Sequence, residues 1–170
     1  MTDFAKKNII NSFIKLTPIL LLFISVFNEI DLNYLEIFSL NFPFILVFYW
    51  SLRKTELLSY GLVFLAGLVN DVVTGFPIGI SSFNYLLICG FAAYLRTITL
   101  RPNIIKDWFF FLFTILVVNS LSYGILNIFF SVDLYYKNLF FNIFFTFVFY
   151  IIFANLFLYF QNQFLKESND

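Results

Sequence analysis

Six apolar segments, each about as long as a membrane-spanning helix, make up most of this 170-residue chain. A hydrocarbon core about 30 Å thick is crossed by roughly 20 helical residues, with 17 to 25 usual. The segments cover approximately residues 12–28, 35–52, 57–74, 78–95, 108–130 and 139–160. The sequence therefore predicts an all-α, polytopic membrane protein of six transmembrane helices. We expect residues 1–170 to form a single integral membrane domain.

The small number of charges excludes a soluble domain. Only 12% of the residues are charged and 61% are hydrophobic, whereas about a quarter of an average soluble domain is charged. Ten acids and ten bases are too few to cover the surface of a domain of this size. Intrinsic disorder is excluded for the opposite reason, because so much apolar surface would stay unburied. This composition fits a protein that is embedded in a lipid bilayer.

Residue counts also argue against several kinds of site. The chain has no His and one Cys, so it lacks the commonest general base and metal ligand and cannot form an internal disulfide. Its formal net charge is zero, which gives no electrostatic basis for binding nucleic acid. Asp71 is the one acid well inside an apolar segment, and a single acid is a poor catalytic set. We expect no catalytic residue, cofactor or metal.

The positions of the basic residues predict the orientation in the membrane, because basic residues favour cytoplasmic loops. With six crossings and a cytoplasmic N-terminus, Lys137 is the one base outside. The cytoplasmic bases are then Lys6, Lys7, Lys15, Arg53, Lys54, Arg96, Arg101, Lys106 and Lys166. If the second segment did not cross, four bases would lie inside and six outside. The sequence therefore favours six crossings with both termini cytoplasmic.

The first segment is predicted to stay on the mature protein. It resembles a signal peptide in having Lys6 and Lys7 before an apolar run. However, no small-x-small cleavage site follows it, and Asn28, Glu29 and Asp31 come next instead. We therefore expect a retained helix.

Asp71 is predicted to lie near the outer membrane surface. It follows Glu56 by 15 residues, which is about 22 Å along a helix. Gly67 shares its helix face, so another backbone could approach closely there. Two interpretations are open: Asp71 bonds to the turn Thr74-Gly75-Phe76-Pro77-Ile78-Gly79 and fixes the helix ends beside it, or it belongs to a substrate or ion site. Pro77 is expected near the start of the next helix, with Ser81 and Ser82 satisfying first-turn donors.

Polar stripes run along the fifth and sixth segments at helical spacing. Asn119, Tyr123 and Asn127 form the first stripe, and Asn142, Thr146 and Tyr150 form the second. Such stripes are typical of helix–helix contacts, and a transport cavity is the alternative. Cys89 is expected to be a small buried side chain. Tyr49 and Trp50 are interpreted as part of an aromatic belt at the cytoplasmic interface.

The stretch from about Phe42 to Ser82 has a distinctive order of residues: a proline before Tyr-Trp, then glycines before an acid, then Gly-x-Pro-x-Gly. The residues of this pattern are Pro43, Tyr49, Trp50, Gly61, Gly67, Asp71, Gly75, Pro77 and Gly79. In this order the stretch resembles the rod shape-determining protein MreD family. Asn70 stands where many members have an aliphatic residue.

The resemblance implies a non-enzymatic inner-membrane scaffold subunit of the bacterial cell-elongation machinery, needed for rod shape and lateral peptidoglycan synthesis. The implied partners are an MreC-type membrane protein and a RodA-type glycosyltransferase with its transpeptidase, and through them MreB filaments. The family is also similar in fold to the substrate-binding subunits of energy-coupling-factor vitamin transporters, which defines the alternative function. Those subunits usually carry Ala-xxx-Ala on the first helix. Here Ala5 precedes that helix and no Ala lies within it.

Overall fold

The computed structural model describes residues 16–26, 40–53, 57–99, 103–131 and 136–167, with side chains as far as Gln161. All regular secondary structure in these residues is helical, which confirms the all-α prediction. The helices are α1 (Leu16–Val26), α2 (Phe42–Arg53), α3 (Tyr60–Thr74), α4 (Ile80–Ile98), α5 (Ile104–Phe130) and α6 (Tyr136–Glu167).

Helix α2 begins later than the predicted start at Leu35. Residues 35–39 lie outside the described part, but Leu40 and Asn41 are described and are not helical. The side-chain oxygen of Asn41 accepts a hydrogen bond from Phe44 N at 3.3 Å, as an N-cap does. Pro43 follows in the first turn, where its missing N–H leaves no bond unmade. The predicted boundary was wrong because the apolar run extends beyond this cap.

Helix α5 begins earlier than predicted, at Ile104 instead of Trp108. The side chain of Asn103 accepts from Ile105 N at 3.0 Å, which caps the helix. Asp107 therefore lies in the first turn of α5 and not in a connection. Helix α4 continues past the predicted end at Leu95, to Ile98.

Helices α3 and α6 also differ from the predicted bounds, whereas the ends of α3 at Thr74 and of α5 at Phe130 agree with the prediction. Helix α3 begins at Tyr60 instead of Leu57, after Ser59 in extended backbone. Helix α6 runs from Tyr136 to Glu167, whereas the predicted span was 139–160. Its helical hydrogen bonding continues into polar residues at both ends, where an apolar run gives no signal.

Helix α2 is the central helix of the bundle. Its residues Phe44 to Leu52 are all buried, including the small polar side chain of Ser51. Helices α4 and α6 pack against it, and they run parallel to it. Phe44 lies against Tyr85 early in α4, and Ser51 lies against Cys89 one turn later.

Helix α5 runs antiparallel to α2. The ring centroids of Phe48 and Phe111 are 5.0 Å apart, while Arg53 at the end of α2 contacts Asp107 at the start of α5. The end of α2 therefore lies at the same end of the bundle as the end of α4 and the start of α5. We call this the basic end, because it carries Arg53, Arg96 and Lys106. The opposite end, with residues 75–79 and Lys137, is called the turn end.

Helices α5 and α6 are long and apolar enough to cross a membrane, over Ile104–Phe130 and Tyr136–Gln161. Less than half of each span is buried within the protein. Helices α2 and α3 are also apolar but have 12 and 15 residues, which is short for a span at about 1.5 Å per residue. The number of crossings stays a prediction.

Candidate functional site

The carboxylate of Asp71 joins α3 to the start of α4. Asp71 is fully buried. Its Oδ2 accepts from Gly79 N at 2.7 Å, and its Oδ1 accepts from Ser81 N at 2.8 Å. Both oxygens therefore satisfy backbone N–H groups that begin α4, which would otherwise lack partners. These bonds confirm the interpretation that Asp71 holds the turn.

The turn itself requires glycine at two positions. Gly75 has φ 71° and Gly79 has φ 106°, a region that residues with a Cβ rarely adopt. Pro77 lies near the start of α4, as expected, but within the turn, since its carbonyl accepts from Ile80 N at 3.3 Å. Helix α4 begins at Ile80 instead of the predicted Ile78, because Gly79 has a positive φ that is not helical.

Helices α3 and α4 touch closely beside Asp71. A Cβ added to Gly67 would lie 2.5 Å from Ser82 N and 2.8 Å from Ser82 Oγ, so a larger residue would push the helices apart. Ser82 Oγ donates to Phe64 O at 2.8 Å. The close approach predicted at Gly67 is confirmed.

Ser81 and Ser82 were wrongly expected to satisfy the first-turn donors of α4. Ser81 Oγ instead accepts from Asn70 Nδ2 at 2.9 Å, so Asn70 adds a further bond between α3 and α4. The first-turn donors Gly79 N and Ser81 N go to the stronger acceptor, the Asp71 carboxylate. Thr74 Oγ1 bonds back to Asn70 O at 2.8 Å.

A buried ion pair lies at the basic end. Arg53 Nη2 donates to Asp107 Oδ2 at 2.7 Å, and the two side chains are 18% and 4% exposed. Asp107 is also in the first turn of α5, where a negative charge is favoured by the helix dipole. The pair connects the end of the central helix to α5. Sequence reasoning placed Arg53 among the loop bases and missed this pair.

Tyr49 and Trp50 do not form an aromatic belt on the outside of the bundle. Both are buried, and both rings lie against Phe157 of α6, with centroid distances of 5.2 and 6.1 Å. The interpretation was wrong because α2 is enclosed on all sides, so its last turn meets protein and not lipid headgroups.

The polar stripe predicted on α5 is not the buried face of that helix. Asn119 and Tyr123 are half-buried and Asn127 is exposed. The buried face carries Ser122, which donates to Asn84 Oδ1 and is within 2.8 Å of Val118 O. Several polar residues occur within one turn, and their spacing does not show which one faces inward, so helix–helix contact by the predicted stripe stays a prediction.

The stripe predicted on α6 does face the bundle at Thr146. Thr146 is 1% exposed, and its Oγ1 accepts from Asn41 N at 3.0 Å. Tyr150, one turn later, is also buried, and Asn142 is half-buried. Helix–helix contact is therefore confirmed for this stripe.

Two other predicted residues have simple positions. Cys89 is buried, as predicted, with its Sγ 3.2 Å from Ser51 Oγ. Gly61 is exposed, and a Cβ there would meet only Ser59 Oγ at 3.8 Å, so nothing in the structure explains a glycine at this position.

The two acids with described side chains, Asp71 and Asp107, make contacts within the protein, one at each end of the bundle. Within the described residues no three His, Cys, Asp or Glu side chains come together as a metal site. Comparison of the chain with protein-family models, curated proteins and solved structures found no match.

Proposed function

We propose that this chain is a membrane-embedded scaffold subunit of the bacterial cell-elongation machinery, similar to the MreD family. The observation that carries the proposal is the engagement of Asp71. Both of its oxygens accept hydrogen bonds from backbone N–H groups of the turn and the start of α4. The acid of the stretch that resembles the MreD family therefore stabilises the structure of the bundle. A substrate or ion site would need that carboxylate to be available.

The proposed membrane placement is supported by the apolar surface of the last two helices. Large side chains on their outer faces are exposed, including Phe113, Ile128, Phe140 and Ile152. A soluble monomer rarely exposes apolar patches larger than a few hundred Å², and a core helix of a soluble protein would be mostly buried. Lipid contact accounts for these faces.

The proposed orientation places the basic end in the cytoplasm. Among the charged residues with described side chains, Arg53, Arg96 and Lys106 share that end, and Lys137 lies at the turn end. This distribution agrees with the positive-inside rule. The other bases used in the sequence argument lie outside the residues with described side chains.

The proposed partners follow from the resemblance. They are an MreC-type protein and a RodA-type glycosyltransferase with its transpeptidase, with MreB filaments reached through them. A scaffold acts through its surface, and the exposed apolar side chains of helices α5 and α6 offer faces for contact with other membrane helices.

Depletion of the chain in the bacterium that encodes it tests this function. We expect rods to become spheres or swollen cells, with uptake of vitamins unchanged, because a scaffold organises wall synthesis and carries no nutrient. Cell shape by microscopy and uptake of labelled vitamins are measured in the same cultures, with a wild-type copy as the control. Normal shape with lost uptake would support the transport subunit instead, and no change in either would contradict both.

A further inference from the structure

Four buried hydrogen-bond donors at the basic end have no partner. They are Tyr49 Oη, Trp50 Nε1, Arg53 Nε and Gln161 Nε2, and none bonds to any residue that the structure describes. Tyr49 and Trp50 are 1% and 5% exposed. Buried polar atoms are nearly always hydrogen-bonded, so a group of unpartnered atoms calls for an explanation.

The residues that carry these atoms lie in neighbouring turns of α2 and α6 at the basic end, and we call this group the donor layer. Tyr49 and Trp50 both pack on Phe157 of α6. Arg53 lies one turn after Tyr49 on α2, and Gln161 lies one turn after Phe157 on α6. Because the two helices run parallel, Arg53 and Gln161 reach the same level of the bundle.

The chemistry of the donor layer defines what would bind it. The indole, the guanidinium Nε and the amide nitrogen only donate, and the tyrosine hydroxyl donates as well as accepts. The missing component is therefore rich in acceptor oxygens. Among the residues with described side chains, three bases, Arg53, Arg96 and Lys106, and one acid, Asp107, lie at this end, so their combined charge favours an anion.

The donor layer lies close to the end of the bundle. The Arg53 side chain is 18% exposed and Gln161 is half-buried, so they form its rim. The four donor atoms themselves are covered by protein, so binding requires the side chains of the rim to move apart. With the chain in a membrane, as proposed above, this rim lies at the level of lipid headgroups. A phosphate group has several acceptor oxygens and a negative charge, and Arg is well suited to bind it.

We propose that the donor layer binds the phosphate group of an anionic phospholipid. Free inorganic phosphate carries the same chemistry and is distinguished by experiment. The proposal rests on the membrane placement and not on the role in cell shape. A chain that stays soluble and monodisperse without detergent would refute that placement before any lipid is added.

Lipid titration of the delipidated, detergent-solubilised protein tests the proposal. Phosphatidylglycerol, phosphatidylcholine and inorganic phosphate are added separately, and binding is followed by native mass spectrometry and by the unfolding midpoint. We expect phosphatidylglycerol to bind more tightly than phosphatidylcholine. Tyr49→Phe and Trp50→Phe should each weaken phosphatidylglycerol binding about tenfold, the effect of losing a hydrogen bond to a charged group. Tyr60→Phe, at an exposed tyrosine near the same end, is the matched control and should change nothing.

The unfolding midpoint without lipid provides a second measurement. Removing a donor that has no partner should leave this midpoint unchanged or raise it in Tyr49→Phe, because a buried unpaired group is destabilising. A lower midpoint in Tyr49→Phe would mean that the tyrosine hydroxyl is already paired within the protein and would overturn the proposal. Trp50→Phe is left out of this comparison, because the smaller ring leaves a cavity that lowers the midpoint by itself. Equal binding of the two lipids, or unchanged affinity in both variants, would overturn it as well. Inorganic phosphate binding as tightly as the lipid would support the phosphate site but refute the lipid as its source.

Discussion

Replacing Asp71 with leucine is expected to lower the free energy of unfolding by roughly 3 to 5 kcal/mol and the membrane level of the protein with it. The change leaves Gly79 N and Ser81 N without their acceptor, and each buried unsatisfied donor costs about 1 to 3 kcal/mol. The measurements are the amount of protein in membranes and the unfolding midpoint in detergent. Val72→Leu is the control, because Val72 is adjacent but 71% exposed and should tolerate the change.

The Asp71→Asn variant distinguishes a structural role of Asp71 from a role that depends on its charge. Asparagine keeps one acceptor oxygen but turns its amide N–H₂ toward the second backbone N–H, so the expected loss is roughly 1 to 3 kcal/mol. The variant should still restore cell shape in proportion to the amount that accumulates. If the Asp71→Asn variant accumulates like the wild type yet fails to restore shape, that result would contradict a structural role and indicate a charge-dependent contact.

Breaking the ion pair between Arg53 and Asp107 is the second change with a large expected effect. Removing one partner of a fully buried pair leaves an uncompensated charge and typically costs about 3 to 5 kcal/mol, and the loss for Asp107→Leu should be smaller because the Arg53 left behind is 18% exposed. We expect Asp107→Leu and Arg53→Met each to lower the unfolding midpoint in detergent strongly, since the two side chains are 4% and 18% exposed.

The double variant measures how strongly the stability effects of the two side chains depend on each other. Replacing both partners with apolar residues removes the buried charges together, which is often neutral or stabilising. Arg53→Met combined with Asp107→Leu should therefore be more stable than either single variant. A double variant whose loss equals the sum of the two single losses would show that the pair contributes no coupling energy.

The turn end was largely predictable from the sequence because its signals are local. Gly75 and Gly79 surround a proline, and Asp71 precedes them by one turn on the face shared with Gly67. Positive φ and a close backbone approach follow from residue type and spacing within about a dozen positions. The partners of Ser81 were missed because a carboxylate competes for backbone donors better than a serine hydroxyl.

The basic end was not predictable in the same way because its contacts are distant in the chain. Arg53 and Asp107 are separated by 54 positions, and only their placement at the same end of the bundle brings them together. The burial of Tyr49 and Trp50 depends on α2 being enclosed by its neighbours, which its own sequence does not show. Helix α5 turns Ser122 inward instead of Asn119. Its partner there is Asn84 of α4, and the sequence of α5 alone does not show that partner.

Cysteine labelling on the two sides of α5 tests most directly the claim that this chain is a membrane-spanning bundle with its basic end in the cytoplasm. Cysteines replace Lys106 and Lys137, which are both exposed, in a Cys89→Ser background that removes the chain's single thiol. In intact spheroplasts, Lys137→Cys should react with an impermeant thiol reagent, and Lys106→Cys should react only after the membrane is opened. The reverse pattern would contradict the orientation, and equal reaction of both in intact spheroplasts would contradict the crossing itself.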